Sequence, residues 1–361
     1  MSTGGWNPQL KNTVSLQPPA VHHKVAKRQT ISYELDASSS ADTLILQESS
    51  NEQLLVASQL LQRGIQQQQA GELTAAIKIL EQSLVLFEIV GEQQKQKQVL
   101  SLLALVAYSS GNYKNTISYC QKCLSLIADT ADVSVQIQVL SHLGNAYRHL
   151  NNYDQAIRVL QECLQITQQQ QDQRSQVAAL NNLGLVHKAL GNFARAIEYQ
   201  EQSLEIVQAL QDNWGQEQVL KNLGNAWYAL DNYHQAIAYY EQCVKIARSL
   251  KNFRNASLVL KNLGNASYAL GDYSQAILYY EQRLKLTQEL QDKRGEEQSL
   301  SSLGVACEAL GDYNTAIIYY EQRLLLARTL KDRRSQEQAL ASLRIACYAL
   351  GDYAKAMQYQ Q

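Results

Sequence analysis

Apolar and polar positions along the chain repeat with a period of forty residues. Five consecutive copies share one pattern and read LSHLGNAYRHLNNYDQAI, LNNLGLVHKALGNFARAI, LKNLGNAWYALDNYHQAI, LKNLGNASYALGDYSQAI and LSSLGVACEALGDYNTAI. Looser copies lie around Gly64 and Ala104, and a last copy around Arg344 is cut off at Gln361. A fixed period of this length is typical of a repeat architecture in which every copy is one supersecondary unit. We therefore expect about eight units, the last of them truncated.

Each unit predicts two helices joined by a short turn. In the first of the five copies, Leu140, Leu143 and Tyr147 recur at steps of three and four residues, which is the apolar stripe of one helix face. A second stripe begins at Tyr153. Between the stripes, a Gly, Asn or Asp that tolerates the left-handed conformation is followed by an Asn or Asp suited to cap the next helix. The stop signal of one helix thus lies directly before the start signal of the next.

Small residues recur within each pair of helices. Gly144 and Ala156, twelve positions apart, and their equivalents in the other copies are expected to let the two helices approach closely. One pair of helices cannot bury both of its apolar faces, so each unit must stack on its neighbours. The predicted fold is an all-α superhelical solenoid over residues 51–361.

Residues 1–50 differ from the rest of the chain. They contain all three prolines, Pro8, Pro18 and Pro19, together with Gly, Ser, Gln and a short basic run. They show no sustained apolar period, which is typical of a mostly disordered polar tail. Leucines and isoleucine at residues 44–46 and 54–55 are the exception and could begin a helix.

Composition narrows the classes of partner. The net charge of −1 and the pI of about 6.6 provide no basic field to attract nucleic acid or acidic lipid. No apolar run reaches the roughly eighteen residues of a membrane span, and the N-terminal residues lack the apolar core of a secretory signal. We expect a cytoplasmic protein with no nucleic acid partner and no membrane insertion.

One family resemblance follows from the repeated motif. The segment NLGNAWYALDNYHQAIAYYEQ, beginning at Asn222, resembles the tetratricopeptide repeat (TPR), whose pattern W-x2-L-G-x2-Y, A-x3-F, P is nearly met in every unit. The usual final proline is absent. The long units, such as YEQRLLLARTLKDRRSQEQALASL, are similar to those of the Pins and LGN group and, more distantly, of kinesin light chain. The resemblance implies a right-handed superhelical α-solenoid of TPR repeats that serves as a protein-interaction scaffold.

Candidate chemistry is sparse. Cys123, Cys163 and Cys243 share one repeat position, and Cys307 and Cys347 share another, where other units have Ser or Ala, so we expect small core residues rather than metal ligands. The histidines form no HExxH-like pair, and the glycines lack the strand-to-helix context of a phosphate loop. Glu296 and Glu297 are expected to be solvated residues at a helix start. The sequence therefore predicts no catalytic residue, no metal, no cofactor and no enzyme activity.

Two arginines stand where other units have a small residue. Arg283 and Arg323 could pack their stems and extend their guanidinium groups to solvent, towards a glutamate such as Glu308. They could instead form an anion-binding pair, because a partly buried arginine needs a partner. The sequence leaves both interpretations open.

The resemblance implies that the first helices line a concave groove, with exposed positions defined relative to the repeated glycine. Lys221 and Asn225, then Lys261 and Asn265, repeat a Lys-x3-Asn pair that could hold a peptide backbone or carboxylates. The following unit has Ser301 where a carboxylate clamp would need a basic residue. The predicted peptide-binding residues are Asn145, Arg148, Asn181, Lys188, Lys221, Asn225, Tyr228, Lys261, Asn265 and Tyr268.

The sequence favours an adaptor that binds an extended, partly acidic segment of another protein in this groove. Two alternatives remain open: a peptide-responsive regulatory sensor, and an assembly factor for a multisubunit, possibly membrane-bound, complex. A further expectation concerns the C-terminal edge, where Met357 and Tyr359 are followed by no covering helix. An apolar edge of this kind predicts self-association or docking of a partner.

Overall fold

The computed structural model describes residues 37–127 and 132–360, with side chains from Ser50 onward. Every regular element within these ranges is an α-helix. Asn51–Gln361 form one compact unit. Residues 1–36 of the expected polar tail lie outside the described residues. From Ala37 onward the chain is helical. The first helix thus includes residues 37–50, which the sequence had suggested only in part.

Sixteen helices form eight consecutive pairs in the described chain, numbered here as units 1 to 8. The first helices of the units are α1 (Ala37–Gln69), α3 (Gln93–Ser109), α5 (Val133–His149), α7 (Gln173–Ala189), α9 (Asn213–Ala229), α11 (Phe253–Ala269), α13 (Lys293–Leu310) and α15 (Arg333–Ala349). The second helices are α2 (Leu73–Val90), α4 (Tyr113–Ile127), α6 (Tyr153–Gln169), α8 (Phe193–Ala209), α10 (Tyr233–Ser249), α12 (Tyr273–Glu289), α14 (Tyr313–Thr329) and α16 (Tyr353–Gln358).

Residues with positive φ end the helices. Within the units they are the predicted glycines together with Asn151 (φ 59°) and Asp231 (φ 56°). The turns between units use the same conformation, which the sequence did not reveal because most of these positions hold Gln or Lys. These residues are Gly91, Gln171, Gln211, Lys251, Gln291 and Lys331. A side chain with Cβ is disfavoured there, so packing of the flanking helices, and not local preference, determines these turns.

Caps start the helices at both kinds of turn. Within units, the predicted caps are confirmed at residues whose side chain accepts the backbone N–H three residues on: Asn112, Asn192, Asn232, Asp272, Asp312 and Asp352. Asn152 precedes α6 but makes no such side-chain bond, so this predicted cap is wrong. Caps between units, which the sequence analysis missed, are Asp172, Asp212, Asn252, Asp292 and Asp332. Hydrogen bonds from the residues they cap hold the pKa of Asp172, Asp312 and Asp332 below the usual value.

The repeated glycine makes room for a different residue from the one expected. A Cβ at Gly144 would overlap Leu160, and a Cβ at Gly224 would overlap the ring of Tyr240, in each case sixteen residues later. Ala156 is fully buried but is not the neighbour that requires the glycine. The small residue therefore accommodates a large side chain of the second helix.

The units stack in order. Each described helix from α2 onward packs on the next, and α3, α5, α7 and α9 also contact one another in succession. First helices therefore lie on the inner side of the stack, which is the arrangement of a right-handed superhelical α-solenoid, as predicted. In the part of the chain that the structure describes, no helix has the length and apolarity needed to cross a membrane.

Candidate peptide-binding groove

Two lysines lie at equivalent positions on the first helices of units 5 and 6. Nζ of Lys221 donates to Oε1 of Gln218 at 2.7 Å and, across to the next unit, to Oδ1 of Asn255 at 3.3 Å. Asn255 also donates to the buried carboxylate of Glu217. Lys221 and Lys261 are both half-buried. Both lysines are thus partly packed, and the ammonium group of Lys221 lies beside the amide oxygens of Gln218 and Asn255.

The asparagines of the Lys-x3-Asn pairs are partly used by the fold. Oδ1 of Asn225 accepts a hydrogen bond from the hydroxyl of Tyr240 at 2.7 Å and from Asn262 at 3.2 Å. Oδ1 of Asn265 accepts from the hydroxyl of Tyr280 at 2.8 Å. Because only the oxygens are engaged among the described residues, the amide nitrogens remain available to donate to a ligand carbonyl.

Each groove tyrosine packs on a second tyrosine across the turn of its unit. The ring centroids of Tyr228 and Tyr233 are 5.3 Å apart and those of Tyr268 and Tyr273 are 5.1 Å apart, both in tilted geometry. Tyr233 donates from its hydroxyl to Asp231. These contacts fix the groove rings in place, so that they present rigid apolar area.

The predicted residues of units 3 and 4 are less available. Asn145 is buried and donates to the carbonyl of Ser141, while its Oδ1 accepts from Arg148 at 3.4 Å. Oδ1 of Asn181 is buried without a partner among the described residues. Burial lowers the pKa of Lys188. The structure therefore places Lys221, Asn225, Lys261 and Asn265 on adjacent first helices. Asn145, by contrast, is buried among the packed helices.

A polar cleft of about 470 Å³ continues from Lys261 towards the last units. Arg323 and Arg334 line it together with Lys261, facing the carboxylates of Glu297 and Asp332. Serines and glutamines complete the lining: Ser301, Ser302, Ser335, Gln298 and Gln338. The cleft thus contains charges of both signs, and Arg323 and Glu297 within it are paired with each other.

Sequence reasoning missed an apolar cleft of about 640 Å³ in units 1 to 3. Ile65, Leu102, Leu105 and Val135 form its apolar part, and His142 lies at its edge. The signal was available, because Leu105 occupies the position held by Asn225 and Asn265 in later units. The cleft of the first units therefore has an apolar floor with Lys95 and Lys97 among its lining residues, whereas the cleft of the later units is lined by polar and charged residues.

The structure corrects the expectation that Arg283 and Arg323 reach solvent near Glu308. Arg283 is 5% exposed and Arg323 is 6% exposed. Arg323 forms a salt bridge to Glu297, with Nε 2.7 Å from Oε1, so Glu297 is not a solvated residue either. Glu308 instead accepts a hydrogen bond from the hydroxyl of Tyr320 at 2.8 Å.

All six cysteines are buried and free, as expected for small core residues. Burial raises the pKa of Cys163 and Cys307 to about 11, which disfavours the thiolate form. Among the described residues, no group of three or more His, Cys, Asp or Glu could hold a metal ion.

Solved structures similar to this one share its architecture at low sequence identity. A signal-transduction ATPase with numerous domains and a TPR sensor, from Pyrococcus horikoshii, is 17% identical with a TM-score of 0.64 over 79% of this chain. This chain covers only 43% of that protein. The apo quorum sensor NprR from B. thuringiensis is 13% identical, with a TM-score of 0.55, and the match covers 89% of this chain and 92% of NprR. Apo RapI is 14% identical with a TM-score of 0.54, covering 73% and 94%.

No curated protein matches the sequence. Sequence models of the tetratricopeptide repeat, by contrast, match residues 96–169, 135–209, 175–249, 215–289 and 299–334. These matches together include more than half of the chain. They coincide with the helix pairs and with the glycine and cap positions described above. The chain belongs to the tetratricopeptide repeat family.

Proposed function

We propose that this chain is a non-enzymatic adaptor of the cytosol that binds an extended, partly acidic peptide segment of another protein in its groove. The observation that carries the proposal is the repetition of one cation and one amide donor on adjacent first helices, Lys221 with Asn225 and Lys261 with Asn265. An amide nitrogen can donate to a peptide carbonyl, and an ammonium group attracts an acidic side chain. Two such pairs in register suit an extended chain that crosses both units.

The test is binding to an array of acidic and neutral peptides, measured for the full chain and for two charge-reversed variants. Lys221→Glu/Lys261→Glu reverses the two positive charges of the groove. Lys245→Glu/Lys285→Glu makes the same change of charge at exposed positions of α10 and α12 that are equivalent to each other. We expect the groove variant to lose affinity for acidic peptides by about tenfold or more, with its helical circular dichroism signal unchanged. Equal binding by the two variants would refute the groove assignment.

A peptide-responsive sensor is the second candidate. It is favoured by two of the similar structures, since the ATPase of Pyrococcus horikoshii carries a TPR sensor and NprR is a quorum sensor. A sensor changes its conformation when a peptide binds, whereas an adaptor keeps its curvature. Small-angle X-ray scattering with and without the best array peptide separates the two: a changed radius of gyration favours the sensor, and an unchanged one the adaptor.

A further inference from the structure

One position of the second helix faces a fixed position of the first helix, 26 residues earlier in the same unit. The thiols of Cys123, Cys163 and Cys243 contact backbone carbonyls 26 residues before them, at 3.6, 3.6 and 3.2 Å. The same register places Ser257 opposite Arg283 in unit 6. Ser257 is itself buried.

Units 6 and 7 differ at this position in one respect. In unit 7, Arg323 donates from Nε to Glu297 at 2.7 Å and from Nη2 to Gln338 at 2.9 Å. In unit 6, Arg283 keeps only the second bond, from Nη2 to Gln298 at 3.0 Å. Its Nε and Nη1 atoms are buried and have no partner among the described residues. Unit 6 thus contains the arginine without the glutamate that satisfies it in unit 7.

A buried guanidinium without a counter-ion is unfavourable, because its lost hydration is not replaced. Burial lowers the pKa of Arg283, and the charge of Asp292 opposes this shift. The carboxylate of Asp292, however, is used as the cap of α13, where it accepts the N–H of Gly295 at 3.0 Å. Arg283 therefore has a negative charge in its neighbourhood but no carboxylate bonded to it.

The guanidinium lies directly behind a cleft wall. Gln298, its partner, lines the cleft that also contains Lys261, and it lines a second cleft with Arg294 and Lys331. The Gln298 side chain is held by a single hydrogen bond, the one from Arg283. A ligand carboxylate that displaces this amide would free Nη2 beside Nε, the pair of donors with which arginine binds carboxylates through two parallel bonds.

We propose that Arg283, together with Lys261, forms an anion subsite of the groove that binds a glutamate or aspartate side chain of the bound peptide. This proposal rests on the proposed function, since it names the chemistry that one part of the groove recognises. The ligand carboxylate would accept from Nε of Arg283, as Glu297 does from Arg323, and would also take the place of Gln298 on Nη2.

The decisive variant is Ser257→Glu, which supplies Arg283 with the internal carboxylate that unit 7 already has. The probe is a fluorescein-labelled polyglutamate peptide, with polyglutamine of the same length as the neutral reference. We expect affinity for polyglutamate to fall about tenfold, and the melting temperature to stay equal or rise, because a buried charge gains its partner. Unaltered affinity in a folded variant overturns the subsite.

Two further variants keep the test decisive if Ser257→Glu does not fold. Arg283→Met removes the cation at similar volume and should reduce polyglutamate affinity by a comparable factor; retained affinity overturns the proposal. Glu297→Ser, the matched change in unit 7, leaves Arg323 with Gln338 but without a carboxylate, and should increase polyglutamate affinity while lowering the melting temperature.

The remaining outcomes separate the subsite from the proposed function. Loss of binding in Lys221→Glu/Lys261→Glu but not in Arg283→Met refutes the subsite and leaves the groove assignment intact. If wild type does not bind polyglutamate, the subsite is refuted. Binding of the neutral array peptides to wild type and to the groove variant then tests the groove assignment separately. Stabilisation by inorganic phosphate but not by polyglutamate would show a site for a free oxyanion and would likewise refute a peptide carboxylate.

Discussion

The repeated glycine of the first helices has neighbours of different stiffness. At Gly224 a new Cβ would overlap the ring of Tyr240, whereas at Gly184 it would meet the amide end of Gln200. The ring of Tyr240 is almost fully buried and is hydrogen-bonded to Asn225, so it has little freedom to shift. The amide of Gln200 is also buried and donates to the carbonyl of Asn181 at 3.2 Å, but it lies at the end of a flexible chain and can turn aside more easily than a ring.

We therefore expect Gly224→Ala to destabilise the chain by about 1–3 kcal/mol through overpacking. Gly184→Ala is the matched control and should destabilise the chain less, because the Gln200 amide can turn aside and alanine regains about 1 kcal/mol of helix propensity. Chemical denaturation followed by circular dichroism measures both. Equal effects of the two substitutions would show that the glycine is needed for backbone approach and not for the side chain sixteen residues later.

The conformation and burial of a residue could be predicted from the sequence where they depend on its neighbours along the chain. The left-handed Asn151 and Asp231 and the buried cysteines followed from residue type and repeat position. The partner of Arg323 did not, because Glu297 is 26 residues away and becomes its neighbour only through the packing of α13 on α14. Polar partners across helices depend on the rotation of each helix, which a repeat pattern does not specify.

At the scale of single helices, carboxylate caps make stability depend on pH. The pKa values of Asp172, Asp312 and Asp332 are lowered in the folded chain by hydrogen bonds to Ser175, Thr315 and Ser335. A carboxylate whose folded pKa is depressed stabilises the fold above its unfolded pKa, here 3.8, and this contribution is lost as the pH falls through the folded value.

We expect the triple variant Asp172→Asn/Asp312→Asn/Asp332→Asn to retain its caps, since asparagine caps as well as aspartate. Its melting temperature should match wild type at neutral pH and fall less steeply below pH 3.8. Melting curves recorded from pH 7 downward test this expectation.

The control for this series removes the same number of negative charges without touching a cap. Glu162→Gln/Glu205→Gln/Glu289→Gln changes exposed residues of second helices. If the control flattens the acid dependence as much as the cap variant, the effect comes from net charge and the caps do not contribute.

At the scale of the whole molecule, the helices that carry the candidate groove residues were predictable, but the contacts that these residues make were not. Repeat register placed Lys221 and Lys261 on successive first helices, as the structure has them. The apolar cleft around Leu105 was not predicted, although Leu105 stands where later units have Asn225 and Asn265. The unpaired Arg283 was also beyond the sequence, since its lack of a counter-ion depends on the packed neighbours of unit 6.

A solenoid of this kind lacks long-range contacts that would tie its ends together. Each unit is stabilised by its own packing and by its immediate neighbours, so local opening should vary along the chain. In the described chain, the short helix α16 packs on α15, whereas α9 to α12 have neighbours on both sides. Amide hydrogen exchange followed by mass spectrometry should therefore be fastest in α15 and α16 and slowest in the central units, which contain Lys221 and Lys261.

The Gly224→Ala substitution turns this gradient into a test of how far units are coupled. If coupling extends only to neighbours, exchange should accelerate in α7 to α12 and remain unchanged in α2 and α3. Uniform acceleration along the chain would contradict nearest-neighbour coupling and would mean that the solenoid opens as one cooperative body. In the expected case the proposed peptide groove lies in the best protected part of the molecule, so its donors would be held in position before a ligand arrives, which would lower the entropic cost of binding.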